Sequence, residues 1–168
     1  MFNIYLIGMM GSGKTVTVKR LAAMLECPFT DLDELIQERT RRSIVEIFQE
    51  EGEFFFRDQE SALLKEVSGL TPRVVATGGG TVLRADNVSW MKRDGKIVFL
   101  ETSLDILWSR VKDKKDRPLL KGKTPRERLL EIYHYRTPIY RAASDLTVNT
   151  DGQSVQAVAS LIYERLKS

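Results

Sequence analysis

The octapeptide Gly8-Met9-Met10-Gly11-Ser12-Gly13-Lys14-Thr15 constrains the chain more than any other stretch. It fits G-x-x-x-x-G-K-[ST], in which glycines let backbone N–H groups turn inward around a phosphate with no Cβ in the way. Such a loop works only between a strand and a helix, and its flanks fit. Phe2 to Ile7 is a short apolar run, a buried strand, and Lys14 to Glu26 carries Val18, Leu21, Ala22 and Leu25 at helical spacing. A helix N-terminus there adds its dipole to the phosphate site. Lys14 is then placed for the β- and γ-phosphates and the Thr15 hydroxyl for Mg²⁺. The alternative is a glycine-rich turn that binds nothing.

Strand and helix signals alternate along the rest of the chain. Pro28 to Asp31 reads as a strand and Leu32 to Arg41 as a helix. Ser43 and Glu46 form a capping box ahead of Ile44, Ile47 and Phe48, and Gly52 ends that helix. Helices follow over residues 53–67, 84–93 and 104–111, with strands at residues 73–77, ended by Gly78-Gly79-Gly80, and at 96–100. Thr124, Pro125 and Glu127 read as a second capping box, opening a helix that runs toward Tyr135. A strand at 145–149 and a helix at 154–166 complete the chain. Strands separated by helices imply a parallel sheet with right-handed crossovers, an α/β sandwich of three layers.

The 168 residues suit a single domain, 1–168, and no apolar run approaches the ~18 residues of a membrane span. One cysteine, Cys27, rules out an internal disulfide, and the single His134 rules out a multi-histidine metal site. The N-terminus has no basic segment ahead of its apolar run, so a cytoplasmic location is expected. The net charge is +3, but residues 110–128 hold nine basic side chains against three acids. Such a field gathers anions. Without interleaved aromatics it is a poor match for a single-stranded nucleic acid, and a polyphosphate fits as well. From Lys112 to Lys123 the stretch has no clear period and reads as a loop or flap; a solvated basic face is the plain alternative.

Several residues could complete a site around the loop. Guanine-nucleotide signatures are absent, which leaves a kinase, an ATPase or a nucleotide-dependent scaffold. Asp31 and Asp33 flank Leu32 at the carboxyl end of the second strand, where ligands gather in parallel sheets. One could hold a metal-bound water and the other accept an alcohol proton, or the pair could serve as a helix cap. Arg57 lies one turn before Glu60, either a surface pair or an arginine held rigid to grip a carboxylate. Gly78, Gly79 and Gly80 offer either a flexible turn or bare backbone N–H groups to a ligand. Phe54 and Phe55 are candidates for an acceptor-pocket wall or for core packing.

In combination these motifs resemble the bacterial shikimate kinase family over essentially the whole length. The order and spacing run Asp31-Leu32-Asp33, Gly52-Glu53-x-x-Phe56-Arg57-x-x-Glu60, Gly78-Gly79-Gly80, Arg117-Pro118-Leu119-Leu120 and Arg136-x-Pro138-x-Tyr140. The resemblance implies a five-stranded parallel sheet of the nucleoside-monophosphate-kinase type, order 2-3-1-4-5. It implies a phosphate loop at 8–15, an acceptor-binding segment at about 32–62 and a lid at about 112–124. The implied activity is transfer of the ATP γ-phosphoryl group to the 3-hydroxyl of shikimate, with one Mg²⁺. Lys14, Asp33 and Arg117 would be catalytic. Gly11, Ser12, Gly13, Lys14, Thr15, Val16, Arg110, Arg117 and Gln153 would hold the nucleotide. Asp33, Arg57, Gly79, Gly80 and Arg136 would hold shikimate, with Glu60 steadying Arg57. Thr15, and Asp31 through water, would hold the metal.

The implied partners are ATP and shikimate, with no nucleic acid and no membrane, on a monomer. Alternatives are another small-molecule kinase such as a gluconate kinase, or a non-catalytic nucleotide-binding protein. Two positions depart from the family's pattern: Val16, where Ser or Thr is frequent, and Val18, where glycine is frequent and a valine would widen helix packing.

Overall fold

The computed structural model describes residues 2–122 and 124–168. Met1 and Lys123, which the expected domain and lid include, lie outside the described residues. Five strands form one sheet: β1 (Asn3–Ile7), β2 (Phe29–Asp31), β3 (Val74–Ala76), β4 (Gly95–Glu101) and β5 (Leu146–Asn149). Every pairing is parallel and the order is β2-β3-β1-β4-β5, as expected. β1 is central and buried along its whole length, which is why it reads as a continuous rather than an alternating apolar run.

Alternate residues of the strands feed two cores. On one face Ile4, Leu6, Val74, Val98 and Leu100 pack against α1 (Lys14–Met24) and α8 (Val155–Lys167). On the other, Tyr5, Ile7, Val75, Ile97 and Phe99 meet the remaining helices. These are α2 (Leu32–Thr40), α3 (Ile44–Glu50), α4 (Gly52–Ser68), α5 (Ala85–Asp94), α6 (Leu104–Val111) and α7 (Pro125–Ala143). The result is a three-layer sandwich. Val18 is fully buried in the α1 layer, among Ile4, Leu21 and Val74.

The Ser43 capping box forms: Glu46 N–H donates to Ser43 Oγ at 3.2 Å, and Ser43 N–H donates to Glu46 Oε2 at 2.6 Å. The one expected at Thr124 does not. Its side chain makes no cap hydrogen bond, because φ −132° and ψ 59° take it out of the extended conformation a capping residue adopts. Pro125 alone opens α7. That helix also runs on to Ala143, past the expected end near Tyr135 and through Pro138. Proline removes the bond to the His134 carbonyl, but both residues are exposed, where water can satisfy that oxygen. Burial of Arg136, Thr137, Tyr140 and Ala143 carries the helix through.

Candidate active site

The loop between β1 and α1 begins the site. Gly13 caps α1 with φ +89°, a conformation that favours glycine, and provides no side-chain cap. The first-turn N–H groups of α1, which have no partner within a helix, are thus left for a ligand. The Lys14 side chain curls over its own loop and donates to Gly8 O at 2.8 Å and Met9 O at 3.0 Å. Burial lowers its pKa to about 8, against the pull of Asp33 and with the help of Arg117. Val16 is half exposed at the rim of the cleft.

At the end of β2, Asp31 plays two structural parts. Its Oδ1 accepts from the backbone N–H of Asp33 at 3.0 Å and of Glu34 at 3.2 Å, which caps α2. Its Oδ2 accepts from the Thr15 hydroxyl at 2.5 Å. The cap and a place beside the phosphate loop are therefore compatible readings of one residue. Asp33 has a different environment. Its Oδ1 is buried and, among the described residues, has no hydrogen-bond partner. Burial, then the nearby Glu60 and Asp31, push its pKa up to about 7, with Lys14 and Arg117 opposing.

Opposite stands Arg57 on α4, mostly buried. Nη1 donates to Glu60 Oε2 at 3.1 Å and Nη2 to Glu53 Oε1 at 3.2 Å. Glu60 has no exposed surface, and its Oε1 accepts from Thr81 Oγ1 at 2.6 Å. This decides against the surface-pair reading. The glycines after β3 have a packing role here. A Cβ on Gly78 would stand 2.1 Å from Glu60 Oε1, and one on Gly80 would stand 2.3 Å from Arg57 Cζ. Arg136, buried on α7, lies on the far side of the turn, with Nη1 3.2 Å from a Cβ position on Gly79.

These groups line one cleft of about 590 Å³ at the carboxyl ends of the strands. Gly11, Ser12, Gly13, Lys14, Thr15, Val16, Asp31, Asp33, Arg57, Gly79, Gly80, Arg110, Arg117, Arg136 and Gln153 all border it. Arg110 Nη1 donates to Gly11 O at 2.8 Å, and the Gln153 side-chain amide donates to Asn149 O at 2.5 Å. Among the described residues, four buried side-chain atoms lack a hydrogen-bond partner: Ser12 Oγ, Asp33 Oδ1, Arg57 Nε and Arg117 Nε. All four belong to residues of this cleft.

The family model "Shikimate kinase" matches residues 10–167. The shikimate kinase of Thermodesulfovibrio yellowstonii is 42% identical, with 100% of this chain and 98% of the relative covered. That of Thioalkalivibrio sulfidiphilus is 43% identical, covering 99% and 88%. The solved structure of shikimate kinase from Acinetobacter baumannii in complex with shikimate is 35% identical and covers 99% of this chain and 93% of its own, with a TM-score of 0.96. This chain belongs to the shikimate kinase family. It is thereby an ATP-dependent kinase acting on shikimate, in preference to a gluconate kinase or a non-catalytic binding protein. A deoxyadenosine kinase from M. mycoides, 15% identical with a TM-score of 0.65, shares the fold.

In this chain the apolar wall of the cleft is not Phe54 and Phe55. Phe54 is 77% exposed beneath Arg84, and Phe55 packs against the core. Ile44, Phe48 and Phe56 form the wall, the two rings 5.0 Å apart. Phe48 sits on the helix capped by Ser43, one helical face with Ile44, and that spacing was the available signal. Lys114 and Asp116 also border the cleft. Among the described residues no helix is long and apolar enough to cross a membrane.

Proposed function

We propose that this cleft transfers the γ-phosphoryl group of ATP to the 3-hydroxyl of shikimate, giving shikimate 3-phosphate and ADP. The observation that carries the reading is the convergence of unpartnered Asp33 Oδ1, Arg57 Nε, Arg117 Nε and Ser12 Oγ on one cleft. Leaving such an atom buried without a hydrogen bond costs roughly 1–3 kcal/mol. A ligand bearing phosphates, a hydroxyl and a carboxylate satisfies all of them.

The N–H groups at the start of α1 cradle the phosphates, with Gly11, Ser12, Gly13 and Val16 lending backbone. Lys14 leaves its loop carbonyls for the β- and γ-phosphates, and Arg117 adds a second cation as charge moves from the transferring group to the leaving oxygen. Arg110 and Gln153, at the open end, flank the adenine. Arg57 and Arg136 grip the shikimate carboxylate from two sides, with N–H groups of Gly79 and Gly80 between them. Glu60 and Thr81 hold Arg57 in orientation. Asp33 accepts the hydrogen bond of the attacking hydroxyl and, with its raised pKa, can retain that proton.

A divalent metal fits the donors present. Thr15 offers a hydroxyl oxygen and Asp31 a carboxylate beside it, while no cluster of three or more His, Cys, Asp or Glu exists among the described residues. That suits Mg²⁺, which keeps several waters and takes one or two protein oxygens plus phosphates. Such an ion, when bound with ATP, neutralises phosphate charge.

Residues 32–62 serve as the acceptor-binding segment. The basic segment from Lys112, with Arg117, serves as a lid that excludes water competing for the phosphoryl group. The chain acts as a monomer in the cytoplasm: a cleft lined from one chain supports the first reading, and dependence on ATP supports the second.

Two substitutions separate the halves of the cleft. Lys14→Ala lowers kcat by about 10²-fold or more. Arg57→Lys chiefly raises the KM for shikimate, since an ammonium cannot reproduce the guanidinium fork. A normal kcat in the first, or an unchanged KM in the second, contradicts the assigned role.

A further inference from the structure

The turn Thr77–Gly80 shows the cleft three glycines, and nothing in glycine itself fixes which way each peptide faces. Facing one way, a peptide offers an N–H to an anion. Facing the other, it offers a carbonyl oxygen, which repels one. The structure contains a side chain placed to decide this. Tyr140 on α7 is fully buried, its ring stacked on Phe99 with centroids 5.1 Å apart. Its hydroxyl donates to the Gly79 carbonyl at 2.5 Å.

That carbonyl belongs to the same peptide unit as the Gly80 N–H. In a trans peptide the two point in opposite directions, and the described residues contain no cis peptide. With the oxygen tied to Tyr140 in the core, the Gly80 N–H is directed away from the core side. Gly80 borders the cleft, beside Arg57. Among the described residues no backbone group accepts from the N–H of Gly79 or Gly80. Arg136 lies one turn before Tyr140 on the same helix. A Cβ on Gly79 would stand 3.2 Å from Arg136 Nη1 and 3.6 Å from the Tyr140 hydroxyl. One helix face therefore holds both the guanidinium and the peptide it works beside.

We propose that Tyr140 is a positioning residue for the acceptor carboxylate: its hydroxyl fixes the Gly79–Gly80 peptide so that the Gly80 N–H faces the anion. The inference rests on the shikimate reading above and extends it to a residue that does not touch substrate. A hydrogen bond on the carbonyl also polarises the peptide and strengthens its N–H as a donor. Burial pushes the hydroxyl up to about 12 despite the pull of Arg136, so it remains a donor at working pH.

Tyr140→Phe keeps the ring and removes the hydrogen bond. The expected result is a five- to tenfold rise in the KM for shikimate, roughly the worth of one hydrogen bond, with kcat and the KM for ATP within about twofold. A purely structural tyrosine would instead lower thermal stability and the active fraction, leaving the shikimate KM unchanged; that result overturns the assignment. The ¹H–¹⁵N spectrum gives a second readout that needs no variant. In the parent protein the Gly80 amide proton must move downfield on saturation with shikimate alone, and an unmoved Gly80 amide, with other cleft signals shifting, overturns the assignment even where Tyr140→Phe fails to fold. Absence of shikimate-dependent turnover in the parent enzyme would instead overturn the acceptor reading and this inference with it.

Discussion

A methyl group on Gly80 would stand 2.3 Å from Arg57 Cζ, inside any permissible contact, so Gly80→Ala must push the guanidinium aside. Since misplacement of a positioning group by about 1 Å can cost up to 10²-fold, Gly80→Ala is expected to raise the shikimate KM by about tenfold to a hundredfold. Circular dichroism should remain that of the parent, and steady-state kinetics at varied shikimate checks the shift. Titration belongs to the same scale. In the proposed mechanism Asp33 works ionised and Lys14 protonated; burial pushes Asp33 up to about 7 and Lys14 down to about 8. The pH profile of kcat/KM should therefore be a narrow bell, falling below pH 7 as Asp33 gains its proton and above pH 8 as Lys14 loses one. A plateau from pH 6 to 9 would contradict these assignments. Because the folded-state pKa of Asp33 exceeds its ordinary value of 3.8, its ionisation works against folding as pH rises from about 4 to 7. Asp33→Asn should accordingly raise the Tm by a few degrees at pH 8 while turnover falls, which thermal unfolding and activity assays measure together.

At the scale of elements, α2 depends on Asp31, which satisfies two of its first-turn N–H groups and also accepts from Thr15. Asp31→Ala should cost about 1–2 kcal/mol of stability in urea unfolding, and Asp31→Asn should restore most of it. Equal losses in both would show that the cap matters less than the charge. Elements were also where the sequence spoke unevenly. The strands and the α1 junction were legible because an apolar run meeting G-x-x-x-x-G-K-[ST] has few other solutions. The far end of α7 was not, since Pro138 is a local stop signal that burial of Tyr140 and Ala143 overrides. The Thr124 box failed because the side-chain pattern is necessary for a cap but the backbone angles decide it. The glycine run illustrates a third limit. Its position at a strand's carboxyl end was readable, but Glu60 and Arg57 lie far from it in sequence, and only the folded packing shows why Gly78 and Gly80 carry no side chain. The same distance concealed the Thr81–Glu60 and Tyr140–Gly79 bonds.

Across the whole molecule, the parallel sheet brings five strand ends to one edge, and residues from Gly11 to Gln153 meet there around a single cleft. We propose that the segment 112–122 moves as a lid: Arg117, Pro118 and Leu119 border the cleft and Leu120 is anchored in the core. Backbone amides of 112–122 should gain protection from hydrogen exchange when a non-hydrolysable ATP analogue and shikimate are both present, while those of β1 and β4 stay unchanged. An unaltered 112–122 would remove the lid from the mechanism. The central claim, that this cleft moves a phosphoryl group onto shikimate, is tested most directly by coupled ADP release. Purified protein with MgATP is assayed alone, with shikimate, and with gluconate and nucleoside monophosphates in its place. The account predicts rapid release that requires shikimate and is not supported by the other acceptors. Release independent of shikimate, or supported equally by another acceptor, would contradict it.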